Sequence, residues 1–365
     1  MAAVVKSHWG LPLEGIAVTR YGHGSQLRQI RLVEAGHPYP DDAGAQAARD
    51  MLTLTATLGA ADTALCLVSG GGSALTSLPP PGIPAADKRA VLRALLASGA
   101  PIADINTVRR RLSAFKGGRL AAAAAPAHVH TVVISDIPGD DPALVASGPT
   151  FADPSAPNAA RAVLERWQIE APDSIARFLN APAMPVQLGK TTHAVAATAR
   201  TALDAASTLA ATRGLRSIML SDCVEGEARA VGAAHAADVA RRIAAGERGP
   251  LLLLSGGETS VTVTGGGRGG RNAEYLAALA IGIAGLPVTA LAIDTDGIDG
   301  SEDNAGAFAD GTSIARAKAL GLDAAALLRD NDAYGLFAAL GDLIFTGPTR
   351  TNVNDFRAIM IGELP

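Results

Sequence analysis

Short apolar runs alternate with longer amphipathic stretches along most of this chain. The short runs predict β-strands, and the stretches with apolar residues three and four positions apart predict helices. The predicted strands are 15–19, 63–68, 129–134, 193–197, 216–220, 250–254, 260–264, 288–293, 343–345 and 356–361. The predicted helices are 41–58, 85–98, 107–125, 158–167, 200–213, 226–244, 270–283, 313–320, 324–329 and 333–339. Because strands and helices alternate, the pattern predicts an α/β protein with mostly parallel sheets flanked by helices.

The segment 169–190 interrupts this alternation. It contains Pro172, Pro182 and Pro185 and has little periodicity, which is typical of a connection between domains. A chain of 365 residues is also long enough for two domains. We therefore expect a larger, Rossmann-like α/β domain over residues 1–185 and a smaller α/β domain over residues 190–365. Ligands bind at the carboxyl ends of strands in such sheets, so we expect the active site in the cleft between the domains.

The amino-acid composition limits the kinds of molecule that this chain is expected to bind. The net charge is −4, from 31 basic and 35 acidic residues, so the sequence predicts no basic surface for a nucleic acid. No apolar stretch reaches the roughly 18 residues that span a membrane, and no signal peptide is evident. With only two cysteines, we expect a cytoplasmic protein. Its partners are then small molecules, and a homodimer is a candidate oligomeric state.

Two glycine-rich segments follow predicted strands, one in each half of the chain. Glycine lets backbone N–H groups turn toward an anion, and serine hydroxyls add donors. The alternative is a tight turn between a strand and a helix, and the first segment does not continue into a Walker-type lysine motif. We expect these residues to bind phosphate or substrate: Ser69, Gly70, Gly71, Gly72, Ser73, Ser255, Gly256, Gly257 and Glu258.

Basic residues form two further candidate anion sites. Asn106 can cap the helix that follows it, and Arg109 and Lys116 are seven residues apart. These two cations therefore share one helix face, which can receive a phosphate or a carboxylate, although a solvated charged face is the alternative. Arg268 and Arg271 lie in and just after a glycine-rich run at a predicted helix start, where anions are favoured. A flexible linker is the alternative at that place.

Acidic residues follow two of the predicted strands. Asp136 comes after strand 129–134, and Asp296 lies in the segment 294–303, which holds four aspartates and one glutamate. Carboxylates at buried strand ends can bind Mg²⁺ or accept a proton. We expect Asp136 and Asp296 to be metal ligands and catalytic residues, with a turn or a surface acidic loop as the alternative.

Several of these motifs occur together, and in the same order, in one family. The segments are VSGGGSAL, INTVRRRLSAFKGGRLA, SDIPGDDPALVASGPT, LLSGGETSVTVTGGGRGGRNAEYLAALA and DTDGIDGSEDNAGAFAD. They resemble the class II glycerate 2-kinases, which carry the MOFRL domain, here at residues 250–360. The resemblance implies an enzyme that transfers the γ-phosphoryl group of ATP to D-glycerate, giving 2-phosphoglycerate, with a divalent metal such as Mg²⁺.

A mechanism follows from these candidates. Arg271, with Arg268 as the second candidate, would stabilise the transferring phosphoryl group, because phosphoryl transfer depends on positioning and charge neutralisation. Arg109 or Lys116 would take the glycerate carboxylate. Of the two aspartates singled out above, one would hold Mg²⁺ and the other would orient the 2-hydroxyl group of glycerate.

Two alternatives stay open. Close relatives are often labelled hydroxypyruvate reductases, an NAD(P)H-dependent activity. Family members also usually begin with a stretch that holds a Gly-Lys-Ala motif, and this chain begins where that stretch would be ending. We therefore expect the first part of the N-terminal family domain to be missing, which would leave a catalytically impaired phosphometabolite-binding protein.

Overall fold

The chain folds into two compact units. A computed structural model describes residues 1–10, 12–182 and 186–363. The first unit comprises Met1–Val133 and Asp141–Ala196, and the second comprises Ile134–Asp140 and Ala197–Pro365. The short segment Ile134–Asp140 therefore belongs to the second unit, although it directly follows a strand of the first. The family-domain boundary that we expect between residues 185 and 190 stays a prediction.

The first unit contains five of the strands. They are β1 (Gly15–Arg20), β2 (Ile30–Ala35), β3 (Thr63–Val68), β4 (His128–Ile134) and β5 (Thr191–Ala197), of which β4 and β5 each extend one residue into the second unit. The helices of this unit are α1 (Ala2–His8), α2 (Asp42–Thr55), α3 (Gly72–Leu75), α4 (Ala85–Ala97), α5 (Ile102–Arg111), α6 (Arg119–Ala123), α7 (Ala159–Arg166) and α8 (Asp173–Asn180). A single 3₁₀ turn, Val145–Ser147, precedes α7.

The second unit follows the same alternation. Its helices are α9 (Ala199–Thr212), α10 (Ala228–Ala244), α11 (Arg271–Gly282), α12 (Ser313–Ala319), α13 (Ala324–Arg329) and α14 (Ala333–Leu340). Its strands are β6 (Arg216–Val224), β7 (Leu251–Gly257), β8 (Val288–Asp294), β9 (Gly306–Asp310), β10 (Leu343–Ile344) and β11 (Asp355–Ile361).

Within the described ranges, the strands form three sheets of two, three and six strands. In the first unit β1 pairs with β2, and β4 lies between β3 and β5. The six-stranded sheet of the second unit has the order β10-β9-β8-β11-β7-β6. The pairs β1/β2, β3/β4 and β6/β7 are parallel, which confirms the predicted α/β class. The large sheet is mixed, because β9 and β11 run opposite to the other four strands.

Some elements differ from the sequence expectation. The single helix expected over 107–125 is two helices, because Gly117 and Gly118 adopt φ angles of 60° and 81°, which a helix does not contain. Strands β2 and β9 escaped prediction, since charged or glycine residues interrupt their apolar pattern. The segment 260–264 is not a strand but makes one isolated bridge, Glu227 to Ser260.

Helix α11 is the centre of the second unit. All its residues from Asn272 to Ala280 are buried, as is typical of a helix with apolar residues on every side. It packs on α10 at very short range: a Cβ atom at Gly232 would lie 2.2 Å from the carbonyl oxygen of Tyr275. Similarly, a Cβ atom at Gly282 would lie 2.5 Å from that of Ala236. The two glycines therefore set the position of α11, whose first residue is a predicted site residue.

We expect Gly232→Ala to destabilise the protein by about 2 kcal/mol, because the added methyl group forces the two helices apart. The sign is opposite to the gain of about 1 kcal/mol that Gly→Ala brings in an unobstructed helix. Gly266→Ala is the control: a Cβ atom there meets nothing within 4 Å, so its effect should stay within about 0.5 kcal/mol. The midpoint of chemical denaturation measures the stability of each variant. Equal midpoints for the two variants would contradict the prediction.

Candidate functional site

Arg271, the first residue of α11, is bound by three carboxylates. Its Nε donates to Asp355 Oδ1 at 2.8 Å, its Nη1 to Glu258 Oε1 at 2.7 Å and its Nη2 to Asp294 Oδ2 at 2.8 Å. The arginine side chain is 21% exposed, whereas the side chain of Asp355 is fully buried. The three contacts use all three nitrogens of the guanidinium group, so the orientation of this cation is fixed.

Strand register brings the three carboxylates together. Strand β11 lies antiparallel between β7 and β8, and its first residue, Asp355, pairs with Gly257 on one side and Asp294 on the other. Glu258 follows the end of β7 directly. Gly257 has φ 115°, and a Cβ atom there would lie 2.2 Å from the backbone nitrogen of Val224, so only glycine fits. The predicted Ser255–Glu258 segment thus ends beside the arginine.

The electrostatics keep Arg271 charged. Burial alone would lower its pKa, but the charges of Asp355, Asp294 and Glu258 raise the pKa above its ordinary value. Burial raises the pKa of Asp294, although Arg271 opposes this effect. A guanidinium group that stays protonated at every physiological pH is suited to bind an anionic group.

Asp355 also connects Arg271 to a second, fully buried arginine. Its Oδ2 accepts a short hydrogen bond from Arg357 Nη2 and a longer one, 3.3 Å, from the backbone amide of Thr259. Its Oδ1 accepts from Asn272 Nδ2 at 2.8 Å. The Arg357 guanidinium lies over the Tyr275 ring, 5.0 Å from its centroid. One carboxylate therefore ties β7, β11 and the start of α11 together.

The N-terminus of α11 is already occupied by a carboxylate of the chain. Asp299 accepts hydrogen bonds from the backbone amides of Asn272 at 2.9 Å and Ala273 at 2.8 Å. Burial raises the pKa of Asp299 to about 6, against the lowering effect of these amides. A Cβ atom at Gly270 would lie 2.3 Å from Asp299 Oδ1, so glycine allows this close approach. The anion at this helix start is Asp299, and an external anion would meet the Arg271 side chain instead.

The glycine run before α11 is also held by protein groups. The amide of Gly266 donates to Asp330 Oδ1 at 3.1 Å, and the amide of Arg268 donates to Asp332 Oδ1 at 3.2 Å. Arg268 forms a salt bridge with Glu302 and lies over the Tyr334 ring, 4.3 Å from its centroid. The structure thus places Arg268 in a contact with Glu302, outside the carboxylate set that surrounds Arg271.

The two predicted aspartates lie in the same unit as Arg271. Burial and the charge of Glu258 raise the pKa of Asp136 to about 6, while its own backbone amide and Arg271 lower it. Its carbonyl oxygen accepts from Asn354 Nδ2 at 2.7 Å. Asp296 accepts from the amide of Ile298 at 2.8 Å, and its own amide donates to Asp294 Oδ1. Over the described residues, no three His, Cys, Asp or Glu side chains are grouped as a metal site.

A cavity of about 150 Å³ adjoins this cluster. It is lined by Ser135, Ile137, Pro138, Gly139, Asp140, Ala199, Asp222, Cys223, Gly257 and Asn354. Several of these residues end or follow strands, which is where α/β sheets bind ligands. Ligand pockets commonly measure roughly 300–1,000 Å³, so this cavity suits one small group rather than a whole nucleotide.

In the first unit, the Ser69–Ser73 loop connects β3 to α3. Gly71 has φ 76°, and a Cβ atom there would lie 3.2 Å from His37 Nε2, so this position favours glycine. Ser73 Oγ shares a hydrogen bond of 2.6 Å with Ser147 Oγ, which also donates to Asn106 Oδ1 at 3.3 Å. The predicted loop and the predicted Asn106 are therefore parts of one polar network.

Arg109 and Lys116 extend that network into a buried group of cations. Arg109 Nη1 donates to Asn106 Oδ1 at 3.4 Å, and Lys116 Nζ donates to the carbonyl oxygen of Thr76 at 2.9 Å. Burial lowers the pKa of Lys116 well below its ordinary value, and the charges of Lys88 and Arg109 lower it further. The predicted shared helix face is wrong, because α5 ends at Arg111 and Lys116 lies in the turn that follows. A solvated charged face does not describe the buried Lys116 either.

Sequence reasoning missed four residues of these two clusters. Asp294 begins the acidic segment 294–303, but nothing in the sequence indicates that β11, which begins with Asp355, enters between β7 and β8. Ser147 lies in a loop, where no sequence pattern indicates its contact with Ser73. Lys88 lies inside a predicted helix, where its spacing of three from Val91 and seven from Leu95 was the only signal that it faces the core.

Comparisons with known proteins agree with the resemblance. Residues 1–180 match the model of a domain of unknown function, DUF4147, and residues 251–355 match the MOFRL family. A Thermotoga maritima protein named D-glycerate 2-kinase is 38% identical over 94% of this chain and 83% of its own length. The chain belongs to the glycerate 2-kinase family. Another relative, from Agrobacterium vitis, carries the provisional name hydroxypyruvate reductase and is 46% identical over 99% of this chain and 96% of its own length.

Solved structures support the same family assignment. The crystal structure of a glycerate kinase from Thermotoga maritima matches with a TM-score of 0.89 and 38% identity, over 95% of this chain and 85% of that one. A Pyrococcus horikoshii protein matches with a TM-score of 0.85 and 34% identity, over the whole of this chain and 86% of that one. Among the described residues of this glycerate 2-kinase family member, no helix is long and apolar enough to cross a bilayer.

We expect Asp355→Asn to destabilise the protein by about 3–5 kcal/mol, because it leaves the fully buried Arg357 without its carboxylate partner. Asp204→Asn is the matched control, since Asp204 pairs with Arg200 on an exposed helix face and should change stability by less than about 0.5 kcal/mol. Thermal melting followed by circular dichroism measures both variants. A melting temperature for Asp355→Asn within a degree of the control would show that the buried pair does not hold the fold.

Proposed function

We propose that this chain transfers the γ-phosphoryl group of ATP to the 2-hydroxyl group of D-glycerate. Relatives from Thermotoga maritima and Pyrococcus horikoshii, named D-glycerate 2-kinase and glycerate 2-kinase, support this assignment. The observation that carries the proposal is Arg271, a permanently charged arginine that is fixed at strand ends by an excess of carboxylates. Phosphoryl transfer needs such positioned charges more than it needs covalent chemistry.

The contacts of Arg271 indicate which edge a substrate would meet. Asp355 and Asp294, with side chains 0% and 7% exposed, hold Nε and Nη2 from the protein interior. Glu258, which binds Nη1, is 45% exposed. A phosphoryl group would therefore approach the Nη1 edge and compete with the exposed Glu258 rather than with the buried pairs. In this role Arg271 would stabilise the charge on the transferring group.

Asp136 and Asp296 are the proposed magnesium ligands. Mg²⁺ commonly binds through one or two carboxylates plus the phosphates of its substrate, so their donor set fits this ion without a complete protein cage. Bound Mg²⁺ would supply neutralisation of phosphate charge. Where Asp296 holds the ion, Asp136 is the carboxylate that would orient the 2-hydroxyl group and accept its proton, and burial and Glu258 raise its pKa to about 6.

The residues of the first unit would bind anionic groups of the substrates. The Ser69–Ser73 loop, Asn106 and Arg109 form one hydrogen-bonded network, and Lys116 lies near Arg109. Serine hydroxyls, an arginine fork and an ammonium group are the donors that phosphates and carboxylates accept from. These residues therefore remain the proposed substrate-binding set of this unit.

Substitution of Arg271 tests the assignment. We expect Arg271→Lys to lower kcat with ATP and D-glycerate by at least about a hundredfold, because lysine keeps the charge but loses the fork that bridges carboxylates and phosphate. Release of ADP, coupled to a chromogenic reaction, measures the rate. Circular dichroism establishes that the variant is folded.

The matched control is Arg316→Lys. Arg316 lies on α12 and binds Asp342 through its own salt bridge, so the same substitution there removes a comparable contact away from the proposed site. Its kcat should stay within about twofold of the parent chain. A kcat for Arg271→Lys within about threefold of the parent, a loss below ~0.7 kcal/mol, would mean that Arg271 has no role in the transfer.

A hydroxypyruvate reductase is the second candidate, because the Agrobacterium vitis relative carries that provisional name. The run Gly265–Gly270 has the GxGxxG spacing of dinucleotide-binding loops, but β7 ends at Gly257 and no strand leads directly into the run. The amides of Gly266 and Gly267 donate to Asp330. The carboxylate of Asp299 also occupies the helix start that follows. Oxidation of NADH by hydroxypyruvate, followed at the nicotinamide absorbance band, would favour the reductase over the kinase.

A further inference from the structure

Lys88 is a buried cation without a hydrogen-bond partner. It lies on α4, and only 3% of its surface is exposed. Its Nζ atom makes no hydrogen bond to any group in the described part of the chain. Removing an ammonium group from water is unfavourable, and no hydrogen bond among the described residues offsets this loss. A bound group of opposite charge would account for the burial of this unpaired ammonium group.

The neighbours of Lys88 make its burial less favourable still. Burial and, to a smaller extent, the positive charge of Arg109 on α5 together lower the pKa of Lys88 to about 8. Lys88 in turn lowers the pKa of Lys116, which is also fully buried. Three cations from α4, α5 and the turn after α5 thus repel one another inside the protein.

The acidic residues of the same helices pair elsewhere. Asp87, next to Lys88 in sequence, accepts from the hydroxyl of Ser174. Asp104, on α5, accepts from Arg166 at 3.1 Å and from Trp167 Nε1 at 2.8 Å. None of the three cations forms a salt bridge within residues 1–10, 12–182 and 186–363. The cluster therefore has an excess of positive charge and free hydrogen-bond donors.

We propose that Lys88, Arg109 and Lys116 form a binding site for a phosphate group, and that Lys88 donates to this group directly. A phosphate carries up to two negative charges and several acceptor oxygens, whereas a carboxylate carries one charge and two oxygens. Three mutually repelling cations are better neutralised by the phosphate. The Ser147–Asn106 pair, which orients Arg109, connects this site to Ser73 of the glycine loop.

The proposal deepens the proposed function, on which it rests for the source of the phosphate group. That source is either the nucleotide or the phosphorylated product. Binding of inorganic phosphate can be measured without turnover, so failure of this proposal is distinguishable from failure of the kinase assignment.

The test is calorimetric titration of the full chain with inorganic phosphate, at an ionic strength held constant with chloride. We expect Lys88→Met to bind phosphate at least about tenfold more weakly than the parent chain, because it loses one charge-assisted hydrogen bond. Arg93→Met is the matched control: it removes one charge from the exposed face of the same helix and should leave the affinity within about twofold.

The melting temperature without phosphate gives a second readout, in which the substitution should be favourable rather than unfavourable. Removing an unpaired buried charge relieves both desolvation and repulsion, so Lys88→Met should melt a few degrees above the parent. Phosphate should raise the melting temperature of the parent but hardly that of the variant. A purely structural lysine would instead make Lys88→Met less stable. If Lys88→Met does not fold, Lys88→Gln, which keeps a donor but no charge, replaces it in both measurements with the same expected directions.

Three results would overturn the proposal. The first is a parent chain that phosphate does not stabilise beyond chloride, and the second is unchanged phosphate binding by the folded variant. The third is a variant that loses affinity for acetate or glycerate but not for phosphate, which would make the cluster a carboxylate site. Parallel titrations with a non-hydrolysable ATP analogue and with 2-phosphoglycerate assign the source: the Lys88→Met loss should appear for the ligand whose phosphate binds there.

Discussion

The carboxylate of Asp355 is the contact on which the proposed site of the second unit depends. It accepts from Arg271, Asn272, Arg357 and the amide of Thr259, and its side chain is fully buried. These partners come from α11, β11 and the loop after β7, so one residue fixes the relative positions of three elements. A buried carboxylate is tolerated only when it is paired and hydrogen-bonded in this way. Its requirement for partners therefore keeps Arg271 in a single orientation.

The two units show opposite imbalances of charge. Around Arg271, the three carboxylates Asp355, Asp294 and Glu258 face two arginines, because Arg357 shares Asp355. The charge of Glu258 also raises the pKa of Asp136. In the first unit, the buried Lys88 lies near the buried Lys116 and the half-buried Arg109, and none of the three has a carboxylate partner among the described residues. Each imbalance costs folding free energy, and each is relieved by a ligand of the missing sign. The proposed magnesium-dependent phosphoryl transfer supplies both: a metal cation for the carboxylates around Arg271, and a phosphate anion for the cations around Lys88.

The sequence could predict the local part of this arrangement. The pattern singles out Ser73, Asn106 and Arg109, and the structure joins them by hydrogen bonds. The cap role expected of Asn106 is wrong, because this residue lies inside α5. Asp355 and Lys88 could not be selected in this way. Their importance comes from the insertion of β11 between two strands and from the packing of α4 on the core, and neither contact leaves a local pattern. Long-range pairing thus decides which polar residues become buried and charged.

Glycine-rich runs alone are therefore a weak guide to phosphate binding in this fold. The run before α11 has the composition and the position at a helix start that favour an anion, yet Asp330, Asp332 and Asp299 bind its amides and those of the first helical turn. These carboxylates accept from the backbone amides that a phosphate would need, and the same hydrogen bonds hold the run in place. What is left for an external anion is the Arg271 side chain, which the rigid run and Asp355 hold in place. The glycines therefore act through the arginine that they position, and the proposed chemistry depends on that side chain and on its carboxylate neighbours.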